Sequence, residues 1–272
     1  MKSYRVGQYE ITPLFDGPLP SSLEKIPDLS HRAEAERLVS AVGPHALILE
    51  VYAFLVRGEG QTILIDTGTG NLKGPALGKV SNELQRLGVE PSAVTAILMT
   101  HLHGDHYGGL IGEDGPAFIN AKLFIHEKEA AFFYDVAEAD MPERGRKILA
   151  PVRDVLKLYE GKIQIVGTEE VFAGINALPA PGHSYGHTCW HIRSQGQSML
   201  ALGDLIHISY IHLKAPYIAM EYDLDPKQAL GSRLRILNWV ADEDILIAGA
   251  HLPSPGVGKI KRDGNCFAFE AQ

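Results

Sequence analysis

The chain has 272 residues, 45% hydrophobic and 21% charged, a balance that can bury a large core without disulfides and excludes a disordered or fibrous protein. A formal net charge of −8 argues against a nucleic-acid surface, which needs clustered Lys and Arg. Two cysteines, Cys189 and Cys266, make no disulfide framework, the N-terminal MKSYRVGQYEITPLF lacks an apolar signal core, and no window approaches the roughly 18 apolar residues of a membrane span, so a cytoplasmic protein working on small molecules away from membranes is expected.

In chain order, residues 4–12 read as a first strand, and 20–44 as a mixed segment, helical near His31 to Val42, that would form an arm or flap. Two β runs follow, Ala46 to Arg57 and Thr62 to Asp66, joined by the turn Gly58-Glu59-Gly60. Val80, Leu84 and Leu87 fall at helical spacing within Leu77 to Leu87, whereas Val94 to Met99 is a wholly apolar run, as in a strand buried on both faces. Lys122 to Ile125 is a strand leading into a helix through Ala131 to Tyr134, and Pro142 is placed to open a long helix to about Tyr159. The second half repeats this grammar, with strands at 163–166, 174–179, 187–193 and 198–203, a helix from Pro226 to about Val240, and strands at Asp244 to Ala248 and Cys266 to Phe269. No repeat, low-complexity tract or Gly/Ser linker interrupts the chain, so a single domain over 1–272 is expected, of α/β or α+β class.

The segment Thr100-His101-Leu102-His103-Gly104-Asp105-His106 follows the apolar run and places four potential ligands within six residues. A buried strand gives such a loop a rigid base; alternating His101 and His103 can converge on one ion, and Asp105 and His106 can turn toward a second, helped by Gly104. Gly108-Gly109 lets the next backbone segment pack closely. Further ligand types stand at the ends of later strands: His183 in Ala180-Pro181-Gly182-His183, Asp204 after Gly203, and His251 in Gly249-Ala250-His251. Singly, a histidine in such a place is more often structural, but with the first loop these residues complete the inventory of a two-metal site.

The pattern HxHxDH, then PGHSYGHT, GD and GAH, resembles the metallo-β-lactamase superfamily over nearly the whole chain, with Asp66 of IDTG matching its acidic residue before the first helix. The resemblance implies a four-layer αββα sandwich. It also implies one metal on His101, His103 and His183, a second on Asp105, His106 and His251, and Asp204 bridging them, with Asp66 orienting the metal loop from behind; His187, in the GHSYGH turn, is read from its own position as a supporting or packing residue. The stretches ITPLFDGPLP, GDLIHISYIHLKAP, EYDLDPKQAL and AGAHLPSPGVGKI resemble methyl parathion hydrolase and its lactonase-like relatives. Acyl-homoserine lactonases share the metal set but often carry a tyrosine three residues after the bridging aspartate, where this chain has His207.

The expected activity is a dinuclear zinc hydrolase, with Mn, Fe or Co as other metals suited to the site. Two cations about 3.5–4 Å apart would share a hydroxide that opens lactones or cleaves carboxylic esters. Phosphotriester hydrolysis is the alternative, and a non-catalytic regulatory protein of the same fold is a third reading. Asp105 would relay a proton and His207 would hydrogen-bond the developing oxyanion. Tyr107, Phe118 and Tyr185 would line the substrate pocket, while His126 is expected to be structural. The 20–44 arm and the Phe132-Phe133-Tyr134 run are where a homodimer would form.

Overall fold

The computed structural model describes residues 2–137 and 143–272. The first half of the chain supplies seven strands, β1 (Tyr4–Val6), β2 (Tyr9–Pro20), β3 (Ile48–Gly58), β4 (Gln61–Ile65), β5 (Ala96–Leu98), β6 (Lys122–His126) and β7 (Ile163–Val166). They lie side by side in sequence order, antiparallel through β4 and parallel from β4 to β7. The second half builds another sheet from β8 (Glu170–Phe172), β9 (Ile175–Pro179), β10 (Thr188–Ser194), β11 (Gln197–Ala201), β12 (Leu246–Ala248), β13 (Val257–Asp263) and β14 (Cys266–Ala271), again in sequence order, with β11 and β12 parallel. The helices are α1 (Leu29–Val42), α2 (Val80–Arg86), α3 (Gly104–Tyr107), α4 (Glu127–Asp135), α5 (Glu143–Leu158), α6 (Ser209–His212) and α7 (Pro226–Asp242).

The two-residue period of the strands explains the layering. In β3 to β6 one set, Ala53, Leu55, Leu64, Ile97, Leu123 and Ile125, packs under α2, α4 and α5. The alternate set, Tyr52, Phe54, Val56, Ile63, Ile65, Leu98 and Phe124, meets Ala177, Trp190, Ile192, Met199 and Val257 of the second sheet. The outer face of that sheet, including Leu200, Ile247 and Ile260, is covered by Ile236, Leu237 and Val240 of α7. Three cores in series between four layers are the αββα sandwich. Trp190 pins the central core by donating its indole N–H to the Met99 carbonyl at 3.0 Å.

Several elements differ from the sequence reading. The expected strand at 4–12 is a hairpin whose second arm runs on to Pro20, with a register shift between Phe15 and Gly17. That bulge turns Asp16 inward, where its buried carboxylate accepts from Thr69 N, Thr69 Oγ1, Gly78 N and Val80 N at 2.6–3.2 Å. The 20–44 arm is packed: Ile26, Ala35 and Val39 join Leu49, Ile208, Ile211 and Ile218 in a fourth cluster that roofs one end of the sandwich. Pro142 lies outside the described residues. On α5 the buried stripe is Leu149, Val152, Val155 and Leu156. Among the described residues no helix is long and apolar enough to cross a membrane.

Candidate metal centre

The parallel strands set the site, because their C-terminal ends open on one edge and the loops leaving them converge there. The loop after β5 carries His101, His103, Asp105 and His106; those after β9, β11 and β12 carry His183, Asp204 and His251. His103 is extended, and the chain then enters α3, which turns Asp105 and His106 away from the first pair. Gly104 has no left-handed backbone, and a Cβ there would meet only the Leu72 and Lys73 side chains at ordinary contact distances of 3.6 and 3.9 Å, so the turn belongs to α3 and not to glycine's freedom. Gly108 and Gly109 are required: a Cβ on either would stand 2.1 Å from the carbonyl of Thr69 or Thr67.

Among the described residues three groups of donor atoms form, each within 4.8 Å: His101, His103, His183 and Asp204; beside them Asp105, His106 and His251; and His183, His207 and Asp223, which shares His183 with the first. In the first, His183 Nε2 lies 3.2 Å from His101 Nε2 and 2.9 Å from His103 Nδ1. Asp204 directs one oxygen to each of the first two groups. Its Oδ2 is 3.4 Å from His183 Nε2 and 3.7 Å from His101 Nε2, and its Oδ1 is 3.0 Å from His106 Nε2 and 3.2 Å from His251 Nε2.

The far side of each ring explains why these nitrogens face one another. His183 Nδ1 donates to Asp223 Oδ1 at 3.0 Å, His106 Nδ1 to Asp66 Oδ2 at 2.8 Å, and His251 Nδ1 to the Glu50 carbonyl at 3.0 Å. The Thr100 hydroxyl spends its proton on Asp66 Oδ2, so it accepts from His101 Nδ1 at 3.1 Å. Each of these four hydrogen bonds keeps a proton on Nδ1, so that Nε2 is the nitrogen each ring would offer the centre when neutral. Asp66 itself has a left-handed backbone (φ 56°) and also accepts the Thr100 N–H at 2.8 Å. His187 behaves otherwise: Nδ1 donates to the Ala180 carbonyl and Nε2 accepts the Asp204 N–H, so it fixes the Asp204 loop and has no lone pair to spare.

Electrostatics follow the same division. Burial drives His101 well below the usual imidazole range, His103 to about 4 and His183 to about 3, leaving neutral rings. Burial is the largest single influence on His106 and His251 and opposes their charge, but the carboxylates together outweigh it and raise both, Asp204 with Asp66 at His106 and Asp204 with Asp105 at His251. Asp204 is held well below the carboxylate range against its own burial, chiefly by His106 and His251. Buried lone pairs that point at one another beside an ionised carboxylate, with His106 Nε2 and Asp204 Oδ1 lacking any hydrogen-bond partner, fit divalent cations.

A cavity of about 460 Å³ opens over His103, Asp105, His183, Asp204, His207 and His251. Its apolar walls include Leu19, Leu49, Leu72 and Tyr107, so Tyr107 sits where the sequence placed it. Phe118 and Tyr185 do not. Phe118 is wholly buried in the core under α4 and α5, and Tyr185 is half exposed, its ring 4.9 Å from Phe132 along an outer groove. Apolar character marked both residues, but aromatic type alone cannot tell core or surface from cavity wall. His207 does reach the site, its Nε2 3.2 Å from Asp204 Oδ2. His126 caps α4, accepting the Lys128 N–H.

Three residues carry the site without a sequence signal. Glu129 of α4 accepts from Leu102 N in one metal loop and from Ser184 Oγ and Gly186 N in the other. Asp223 orients His183 and is itself steadied by the buried Arg233, 3.8 Å away. Tyr222, beside it, lines the cavity. The stretch EYDLDPKQAL carries a family resemblance in the sequence, but that resemblance gives Tyr222 and Asp223 no role.

Fold and donor set together define a metal-dependent hydrolase. The chain belongs to the metallo-β-lactamase superfamily, whose family profile matches residues 48–251. It is 29% identical over 254 residues to the N-acyl homoserine lactonase AiiA of Bacillus thuringiensis subsp. kurstaki, covering 85% of this chain and 90% of that one. Among solved structures it is similar to AidC, a dizinc quorum-quenching lactonase in complex with the product N-hexanoyl-L-homoserine (TM-score 0.92, 27% identity, 100% of this chain and 97% of that one). It is also similar to the hydrolase AbOPH (TM-score 0.91, 28% identity, 99% and 96%).

Proposed function

We propose that the protein is a dinuclear zinc hydrolase that opens N-acyl lactones, with His101, His103 and His183 on one cation, Asp105, His106 and His251 on the other, and Asp204 between them. The observation that carries this reading is the aim of Asp204, one oxygen toward each group of imidazole nitrogens. Bound there, such cations supply a nucleophilic water at neutral pH and polarise the scissile carbonyl. The chain's own residues do the rest. Leu19, Leu49 and Leu72 offer an apolar wall to an acyl chain, Asp105 at the cavity floor takes up the proton released on attack, and His207 donates to the oxygen that gains charge. The similarity to lactonases over most of both chains supports the lactone over the phosphotriester as substrate.

The test is elemental analysis of the purified protein with parallel assays on a medium-chain acyl-homoserine lactone, an aryl ester and a phosphotriester. Two zinc ions per chain and chelator-sensitive turnover fastest on the lactone are expected. One metal per chain would remove the dinuclear reading, and a faster phosphotriester would replace the substrate.

A further inference from the structure

The buried side-chain atoms that lack a hydrogen-bond partner, among the described residues, include His106 Nε2, Asp204 Oδ1, both ring nitrogens of His207 and the hydroxyl of Tyr222. These form one neighbourhood. The Tyr222 ring is 4.7 Å from that of His207 and 5.9 Å from that of His183, and His207 Nε2 and His106 Nε2 stand 3.2 and 3.0 Å from Asp204. A cation answers the lone pairs of His106 and Asp204. It does nothing for a phenol, which has a proton to give and needs an acceptor oxygen.

Tyr222 is also held firmly. The turn that carries it is anchored by Glu221 N to the Lys25 carbonyl at 2.6 Å, Asp223 Oδ1 to His183 Nδ1 at 3.0 Å, and Leu224 N to the His183 carbonyl at 3.2 Å. A buried donor kept rigid and unpaired costs stability, and such groups persist where a ligand completes them. We infer that the Tyr222 hydroxyl is a catalytic hydrogen-bond donor, paired with His207, to the substrate oxygen that gains charge at the metal centre. This rests on the proposed hydrolase reading and adds to it a second donor from a different loop. With two donors on one side and cations on the other, the site recognises substrates whose reacting group carries a free acceptor oxygen, as a carbonyl or phosphoryl group does.

Tyr222→Phe keeps the ring and removes only the hydroxyl. In the metal-loaded protein, the variant is expected to retain wild-type metal content and an equal or higher melting temperature, since an unpaired donor is lost. Its kcat should fall on the order of 10- to 100-fold with little change in KM, and inorganic phosphate, an oxyanion probe independent of turnover, should bind about 5-fold more weakly by calorimetry. Wild-type kcat and phosphate affinity in the variant would overturn the inference, as would loss of metal or a lower melting temperature, which would make the hydroxyl structural. If the wild-type protein turns over none of the three substrates, the proposed activity falls, and the ratio of phosphate affinities still decides the role of Tyr222.

Discussion

Glu129 Oε2 takes the Ser184 hydroxyl at 2.6 Å and the Gly186 N–H at 2.9 Å, while Oε1 accepts the Leu102 N–H at 2.9 Å. One buried carboxylate thus ties the loop of His101 and His103 to the loop of His183. Burial raises its own pKa, against the pull of those three donors. Glu129→Ala strands three buried donors, and a loss of about 3 kcal/mol in urea denaturation is expected, with metal affinity down roughly 10- to 100-fold in a chelator competition. Unchanged affinity would mean that the two loops hold their geometry without the tie.

Asp204 stands within 3.0–3.7 Å of His101, His106, His183, His207 and His251. Asp204→Asn removes the charge at nearly constant shape, and metal content and turnover are expected to fall together. Full activity in this variant would remove the bridging role.

His207 touches Asp204, yet its backbone N–H is already used by His212 Nδ1 at 3.1 Å, and its ring is free to serve a ligand in the cavity. His207→Ala should keep both cations and lose turnover on the order of 10- to 100-fold. Metal loss measured by elemental analysis would instead place the ring among the ligands.

Chelator-treated protein should be most stable near pH 6.5. Unfolded histidines titrate there, whereas burial holds His103 and His187 at about 4 and His183 at about 3 in the fold. Below pH 6.5 the unfolded chain therefore binds protons that the folded chain refuses, and stability falls as pH falls. His106 and His251 have the opposite sign: raised by Asp204, they keep protons that the unfolded chain releases above pH 6.5, so stability also falls as pH rises toward their folded values. Zinc bound as proposed would take the place of those protons and remove the alkaline loss, so its stabilisation should be larger at pH 7.5 than at pH 5 in urea midpoints. Equal stabilisation at the two pH values would contradict the ligand assignment of His106 and His251.

The sheets were legible where strands are apolar on both faces, as in Val94 to Met99, and the ligand-type residues were legible because each ends such a run. Pro13, Pro18 and Pro20 argue against a strand beyond Thr12, but β1 pairs only with Tyr9 to Ile11, so the prolines stand where β2 has β3 alone as a partner, and such an edge tolerates them. β13 was missed because Lys259 and Lys261 interrupt its apolar pattern; both pair with Asp244 at the sheet surface. Glu129, Asp223 and Tyr222 were invisible for another reason. Glu129 acts on Leu102 and Ser184, 27 and 55 residues away, Asp223 acts on His183, 40 residues away, and the Tyr222 ring comes beside His207 only through the fold; local pattern holds no record of such contacts.

Among the described residues each sheet is drawn from its own half of the chain, and the turn between β7 and β8 joins the two. His103 and His183, 80 residues apart, come from opposite halves and stand 2.9 Å from each other. A cation held by both is therefore a reversible cross-link, closing a long loop as a disulfide would in an oxidising compartment. Loading the proposed centre would fasten the two halves together, so amide exchange should slow in strands of both sheets far from the ligands, and stripping it should loosen the seam before either half melts.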